Sequence, residues 1–503
     1  MATLSVAAIL AENARRRPDK EALVEGGLRL TFAEVWRRAR AQAGALTGLG
    51  VRPGDRVALM APNTAEFPQA YYAIAAAGGV VVPVHLLLSP PEVEHVLRDS
   101  GATLLLCHPA QAETGAAAAR ETGVRMITLG DELGGLAADA EPLPSYVTRD
   151  ADDPAVVFYT SGTTGVPKGA VLSHFNLVMN ATVNAFDAND IRPDDIALGA
   201  LPLFHAFGQT VSLNSTWRAG ATLVLLPRFD AARAIELMVA EKVNTFHGVP
   251  TMFVALAAAA ADAEDLPGLR VCVSGGASLP VAVLERFEEA FGAEIYEGYG
   301  LSETSPAAAV NQPVFGARPG TIGHPLWGVD VEIARAEAED GVELLPPGEL
   351  GEVVVRGHNV FSGYLGRPEA TAEALVDGWF RTGDLGTKDD EGFLRIVDRK
   401  KDVVIRGGYN VYPREVEEVL VRHPGIAQVA VIGLPDELHG EEVCAVVVPA
   451  DGAAPQAAEV VEWSKHRLGK YKYPRRVEFA SELPLGPSMK VLKRELRARY
   501  APR

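Results

Sequence analysis

The sequence predicts an α/β protein. A large N-terminal domain of several subdomains, with parallel-type sheets covered by helices and a β-rich subdomain, is followed by a small α+β C-terminal domain. Three observations carry this. Helical and strand-like segments alternate through roughly the first three fifths of the chain, as parallel strands joined by crossover helices require. Near residue 320 that alternation gives way to short β-rich pieces divided by glycine turns. At Asp398 to Lys401 a charge cluster precedes a compact α+β stretch, and we place the domain boundary there: 1–397, then 398–401, then 402–503.

Glu21 to Glu25 reads as a strand. Thr31 opens a helix with Glu34 three residues on, the spacing of a capping box. Val57 to Met60 is a strand and Ala65 to Ala77 a helix; Val80 to Val84 and Thr103 to Cys107 are short apolar strands. The alternation resumes with Leu223 to Leu226 (strand), Ala231 to Glu241 (helix), Val271 to Val273 (strand) and Val281 to Phe291 (helix). Val329 to Ile333, Gly351 to Arg356 and Gly392 to Val397 are the β-rich pieces.

With 48% apolar and 22% charged residues among 503, wholesale disorder is excluded. The formal charge of -18 disfavours nucleic acid as a principal partner. Residues 464–503 nevertheless hold twelve Lys/Arg against three Glu, which suits either a small polyanion or a solvated basic face. Cys107, Cys272 and Cys444 lie far apart in apolar settings and read as buried thiols in a reducing compartment. The start lacks a signal-peptide pattern, and the apolar run Tyr71 to Leu88 is cut by Gly78, Gly79 and Pro83. A cytoplasmic protein without an integral membrane segment is expected, as a monomer or homodimer.

Residues 159–169 read YTSGTTGVPKG after the apolar run Ala155 to Phe158. Glycines let backbone N–H groups converge on an anion, and hydroxyls add donors, so this is a phosphate-contacting loop after a strand. Pro167 before Lys168 and Gly169 after it depart from the Walker arrangement, in which lysine opens a helix.

With this loop the chain resembles the adenylate-forming superfamily, in particular its acyl-CoA synthetases. VSGGASLP (273–280), YEGYGLSET (296–304), GWFRTGDLG (378–386), IVDRKKDVVIRGGYNVYPREVE (396–417) and PSMKVLKREL (487–496) are similar to its later motifs, in its order. The resemblance implies an enzyme that converts a carboxylic acid to an acyl-adenylate with ATP and Mg²⁺, then passes the acyl group to coenzyme A. Thr160, Ser161, Gly162, Thr163, Thr164, Gly165 and Lys168 would hold phosphates. Gly275, Gly276, Ala277, Glu297, Gly298, Tyr299 and Gly300 would surround the base. Ser302 would meet phosphate and Glu303 the metal; Asp384 and Arg399 would contact the ribose. Lys490 would bridge carboxylate and α-phosphate as a catalytic residue, with Glu303 and His205. Lys401 would be the hinge of a mobile C-terminal domain, and Gly407 and Gly408 would border the coenzyme A channel. Met489 stands where the family usually has glycine, which puts the rate of adenylation in question.

LPLFHAFGQT (201–210), FHGVPTMF (246–253) and SPAAAV (305–310) are similar to segments that wall the acyl pocket, giving His205, Phe207, Phe246, Val249, Met252, Ala307 and Ala308. No Lys or Arg stands in them to pair a second carboxylate. The expected activity is an AMP-forming acid–CoA ligase for a medium- or long-chain fatty acid. Alternatives are an aryl-acid–CoA ligase, a fatty-acyl-AMP ligase loading a carrier protein, and a non-catalytic nucleotide-binding relative.

Overall fold

Short apolar strands followed by helices bury both faces of a sheet, and the N-terminal part of the chain builds two such sheets. The computed structural model describes residues 2–160, 167–338, 341–450, 452–486 and 491–501. One sheet runs from Gly363–Tyr364 through Lys168–Ser173, Pro154–Thr160, Val80–Pro83, Arg56–Met60 and Leu104–Cys107 to Arg125–Thr128. The other runs from His324–Pro325 through Ala307–Val310, Ile295–Gly300, Val271–Ser274, Thr245–Gly248, Ile196–Gly199 and Thr222–Leu225 to Glu21–Glu25 and Leu28–Thr31. Their central pairings are parallel, for example Val57↔Leu104 and Phe246↔Cys272.

Local chemistry explains the elements. Thr31 accepts from the Glu34 amide and Glu34 from the Thr31 amide, the capping box of the helix Phe32–Gly48. The apolar run after Tyr71 is the buried helix Glu66–Ala76, a turn with Gly78 at φ +78°, and the strand Val80–Pro83. Among the described residues no helix is long and apolar enough to cross a membrane. All three cysteines are free and buried, and burial raises Cys107 to about 11 and Cys444 to about 12.

The β-rich part pairs Val329–Ala334 with Gly351–Gly357 and the latter with Trp379–Lys388, all antiparallel. The last strand of this group runs Leu394–Arg399 rather than starting at Gly392, whose φ of +87° places it in the preceding turn. Asp398 and Arg399 therefore still belong to a strand, and the chain turns at Lys400. Beyond it a separate sheet (Tyr409–Val411, Val404–Arg406, Gly440–Pro449, Ile426–Asp436, with Arg476–Phe479) packs against Pro413–Leu420, Ala457–Lys465 and Lys493–Tyr500. Its two apolar clusters draw only on residues from Val404 onward; the clusters before it end at Ile396.

Much of the basic C-terminal charge is taken up locally. Lys472 pairs Glu415, Lys493 pairs Glu417, Arg476 pairs Glu478 and Arg497 pairs Asp402.

Candidate functional site

The strand Pro154–Thr160 buries Ala155 to Phe158 and pairs antiparallel with Lys168–Ser173, so Thr160 and Lys168 face each other across the mouth of the glycine-rich loop. Ser161, Gly162, Thr163, Thr164 and Gly165 lie outside the described residues. Thr160 Oγ1 donates to Glu303 Oε1 at 3.4 Å, and the Tyr364 hydroxyl donates to the same oxygen at 2.9 Å. Glu303 is 7% exposed and sits on the single turn Ser302–Thr304, closed by a hydrogen bond from the Leu301 amide to Thr304 Oγ1. Gly300 before it is obligatory: a Cβ there would lie 1.8 Å from the Pro306 carbonyl oxygen. Both hydroxyls go to Oε1, and among the described residues no hydrogen bond reaches Oε2. An all-oxygen site of this kind fits a hard divalent cation.

The strands Val271–Ser274 and Ile295–Gly300 lie side by side and deliver Gly275, Gly276, Ala277, Glu297, Gly298 and Tyr299 to one cavity. At Gly275 a Cβ would meet the Phe207 ring at 3.1 Å, a tight contact the ring would have to yield to. Glu297 is buried; its Oε1 accepts from the Leu279 amide at 3.1 Å and lies 4.0 Å from the Arg414 guanidinium. Burial pushes its carboxyl up to about 7, only partly offset by Arg414. Its Oε2 is buried with no hydrogen-bond partner among the described residues. The Tyr299 hydroxyl donates to Asp384 Oδ2 at 2.7 Å, and Arg399 Nε meets Asp384 Oδ1 at 3.0 Å. Burial and the Asp384 charge hold the Tyr299 phenol well above its ordinary range.

His205, Phe207 and Ala307 line the same cavity, of about 2410 Å³, and Ser302, Lys168, Asp384 and Arg399 border it too. His205 Nδ1 accepts from the Phe207 amide at 3.3 Å, so the neutral ring carries its proton on Nε2. Val249 borders a small adjoining pocket with His205, Phe207 and Gly276.

Three expected wall residues are elsewhere. Phe246 is fully buried and packs edge-on against Phe253 at 5.3 Å, because in its strand it shares the helix-covered face with Cys272. Met252 belongs to the same core. Ala308 is fully buried and absent from the cavity lining, while Ala307, Ala309 and Val310 reach it. Sequence reasoning missed Thr251, Val211 and Ile322, which also line the cavity from elements whose facing the periodicity does not define.

Lys490 and Met489 lie outside the described residues. Gly486 and Val491, on either side of that segment, line the cavity. Lys401 borders it in the turn after Arg399. Gly407 and Gly408, at φ +57° and +82°, are exposed and are not among its lining residues, so in this conformation they do not form a channel to it. The seam between the two parts is polar: Asp398 Oδ2 accepts from the Arg414 amide at 3.0 Å, at the start of the helix Pro413–Leu420, and Arg414 also donates to the Ile396 carbonyl. Arg414 and Tyr364 are functional candidates the sequence motifs did not single out.

Residues 10–365 match the AMP-binding enzyme family and residues 415–490 the AMP-binding enzyme C-terminal domain. The chain is 42% identical over 489 residues to a feruloyl-CoA synthase of Amycolatopsis sp, covering 97% of each. It is 36% identical to a long-chain-fatty-acid–CoA ligase of Bacillus subtilis, covering 97% of this chain and 93% of that protein. Among solved structures, ATP-bound MatB from Rhodopseudomonas palustris superposes with a TM-score of 0.90 at 34% identity, over 98% of this chain and 99% of that one. The chain therefore belongs to the AMP-binding enzyme family and is an AMP-forming acyl-CoA synthetase in type.

Proposed function

We propose that the protein activates an apolar monocarboxylic acid with ATP and transfers the acyl group to coenzyme A. The observation that carries this reading is the meeting, in one cavity, of Thr160, Lys168, Glu303, Tyr299, Asp384 and Arg399 with the wall of Phe207, Ala307 and Ala309. A carboxylate oxygen attacks the α-phosphorus of ATP, the new C–O–P bond forms, and the bond to the β-phosphate oxygen breaks to release pyrophosphate. Both reactants are anionic, so catalysis is positioning plus positive charge. Lys168 and Lys490 supply that charge; Asp384 holds the ribose hydroxyls with Arg399 as its neighbour; Glu297 and Tyr299 bound the base. Glu303, its Oε1 held by the Thr160 and Tyr364 hydroxyls, would hold Mg²⁺, which would supply neutralising charge for the phosphates. Rotation of the domain after Lys401 then brings Gly407 and Gly408 to the site, the thiol attacks the acyl carbon, and AMP leaves with its bonding electrons.

Two acid classes fit the wall. Small side chains at Ala307 and Ala309 leave length for a fatty chain. A rigid apolar wall of Phe207, Val211 and Ile322 fits the flat ring of an aryl acid equally well. A pyrophosphate-release screen over ferulate, benzoate, octanoate, palmitate and malonate, with and without coenzyme A, decides between them. Turnover with malonate alone, or with none, overturns the reading.

A further inference from the structure

Tyr364 sits on a strand of two residues, Gly363–Tyr364, that pairs antiparallel with Lys168–Ser173, with Tyr364 opposite Ala170. The pairing is fixed on both sides, by the Ser362 amide donating to the Val171 carbonyl at 2.9 Å and the Leu365 amide to the Gly169 carbonyl at 2.8 Å. Thr371 Oγ1 accepts from the Tyr364 amide at 2.9 Å. Thr371 also packs so closely on Gly363 that a Cβ there would lie 2.6 Å from its methyl group. The ring is thus held at a set distance from the strand that leaves the glycine-rich loop.

Two groups of opposite charge use that ring. Its hydroxyl donates to Glu303 Oε1 at 2.9 Å, and Lys168 Nζ stands 5.2 Å from its centroid, over the face. The Glu303 turn is tied to the same segment a second time, because the Phe361 amide donates to the Glu303 carbonyl at 2.9 Å and the Phe361 ring meets Tyr364 edge-on at 4.9 Å.

We infer that Tyr364 is a positioning residue that sets the Glu303 carboxylate and the Lys168 ammonium at their working separation around the nucleotide phosphates. The inference rests on the nucleotide reading above. Its two arms are separable: the hydroxyl acts on the carboxylate, hence on the cation, and the ring acts on the ammonium, hence on the phosphates directly.

The test measures ATP binding to the full-length protein by calorimetry, with Mg²⁺ and with EDTA, for wild type, Tyr364→Phe and Tyr364→Leu, alongside each protein's thermal midpoint. Tyr364→Phe keeps the ring and loses the hydroxyl. It should reduce the tightening of ATP binding by Mg²⁺ roughly ten-fold, the scale of a hydrogen bond to a charged group, and leave metal-free binding within about two-fold. Tyr364→Leu should lose the Mg²⁺ effect equally and also weaken metal-free binding about three-fold, the scale of an exposed cation–π contact. If Tyr364→Phe binds ATP with the wild-type Mg²⁺ dependence, the positioning role is wrong. A drop in thermal midpoint with unchanged Mg²⁺ dependence also overturns it, because packing alone explains that. Wild-type protein that binds no ATP in either condition sinks the nucleotide reading itself.

Discussion

Asp384 and Arg399 are direct partners across two antiparallel strands, and Arg399 Nε lies 3.0 Å from Asp384 Oδ1. The acid is almost fully buried, and its second oxygen takes the Tyr299 hydroxyl. A carboxylate so held is preorganised for a vicinal diol, because its orientation is fixed before a nucleotide arrives.

That arrangement predicts how the ribose is read. Wild-type protein should bind ATP roughly ten-fold more tightly than 2′-deoxy-ATP, the scale of one hydrogen bond to a charged group. Asp384→Asn should bind ATP more weakly and treat the two nucleotides nearly alike. Equal discrimination by both proteins in a competition assay would remove Asp384 from the ribose site.

Glu297 predicts a pH dependence of stability. Its carboxyl is raised from 4.5 to about 7, by burial first; Arg414 and Arg395 oppose the shift and Glu418 adds to it. A raised carboxyl pKa means the folded state holds the proton more tightly. The stabilisation is complete below about 4.5 and disappears as the pH rises through about 7. Denaturant titrations should therefore show wild type losing stability relative to Glu297→Gln across that window, by about 3 kcal/mol at most, and no further change above it. A difference independent of pH would mean that the group is ionised throughout.

Lys401 borders the cavity in the turn that follows the last strand of the β-rich part. Lys401→Pro fixes φ there and should impede rotation. Acyl-adenylate formation should survive better than thioester formation, measured separately by pyrophosphate release and by acyl transfer from synthetic acyl-AMP. Loss of both to the same degree, or of neither, places the hinge elsewhere.

Lys490 is assigned by motif. Lys490→Ala should slow adenylation by on the order of 10²–10³, the effect of one preorganised electrostatic contact, and spare transfer from synthetic acyl-AMP. Met489→Gly should speed adenylation alone if methionine mis-aims the loop. A neutral or harmful Met489→Gly shows that the segment has no need of glycine; intact adenylation in Lys490→Ala ends the catalytic assignment.

The sequence disclosed the parts whose chemistry is local. The capping box at Thr31 and Glu34 and the helix Val281–Phe291 follow from short-range pattern. The described motif residues before the seam, Thr160, Lys168, Tyr299, Glu303, Asp384 and Arg399 among them, come together at one cavity. What was illegible depends on facing and on distant pairing. Three consecutive alanines at 307–309 carry no sign of which side each presents, and Phe246 reads as an apolar wall whichever way its strand turns. Tyr364 reaches Glu303 only through a two-residue strand added at a sheet edge, too short to leave a period.

The division of the apolar interior between Ile396 and Val404 has a mechanical meaning. A body whose oily interior is closed on itself uncovers none of it when it swings aside. What joins the two parts at the start of Pro413–Leu420 is a carboxylate on a backbone amide, a guanidinium on a carbonyl, and a 4.0 Å attraction to Glu297. If the part after Lys401 rotates as proposed, the two orientations can lie close in free energy, with the occupant of the cavity selecting between them.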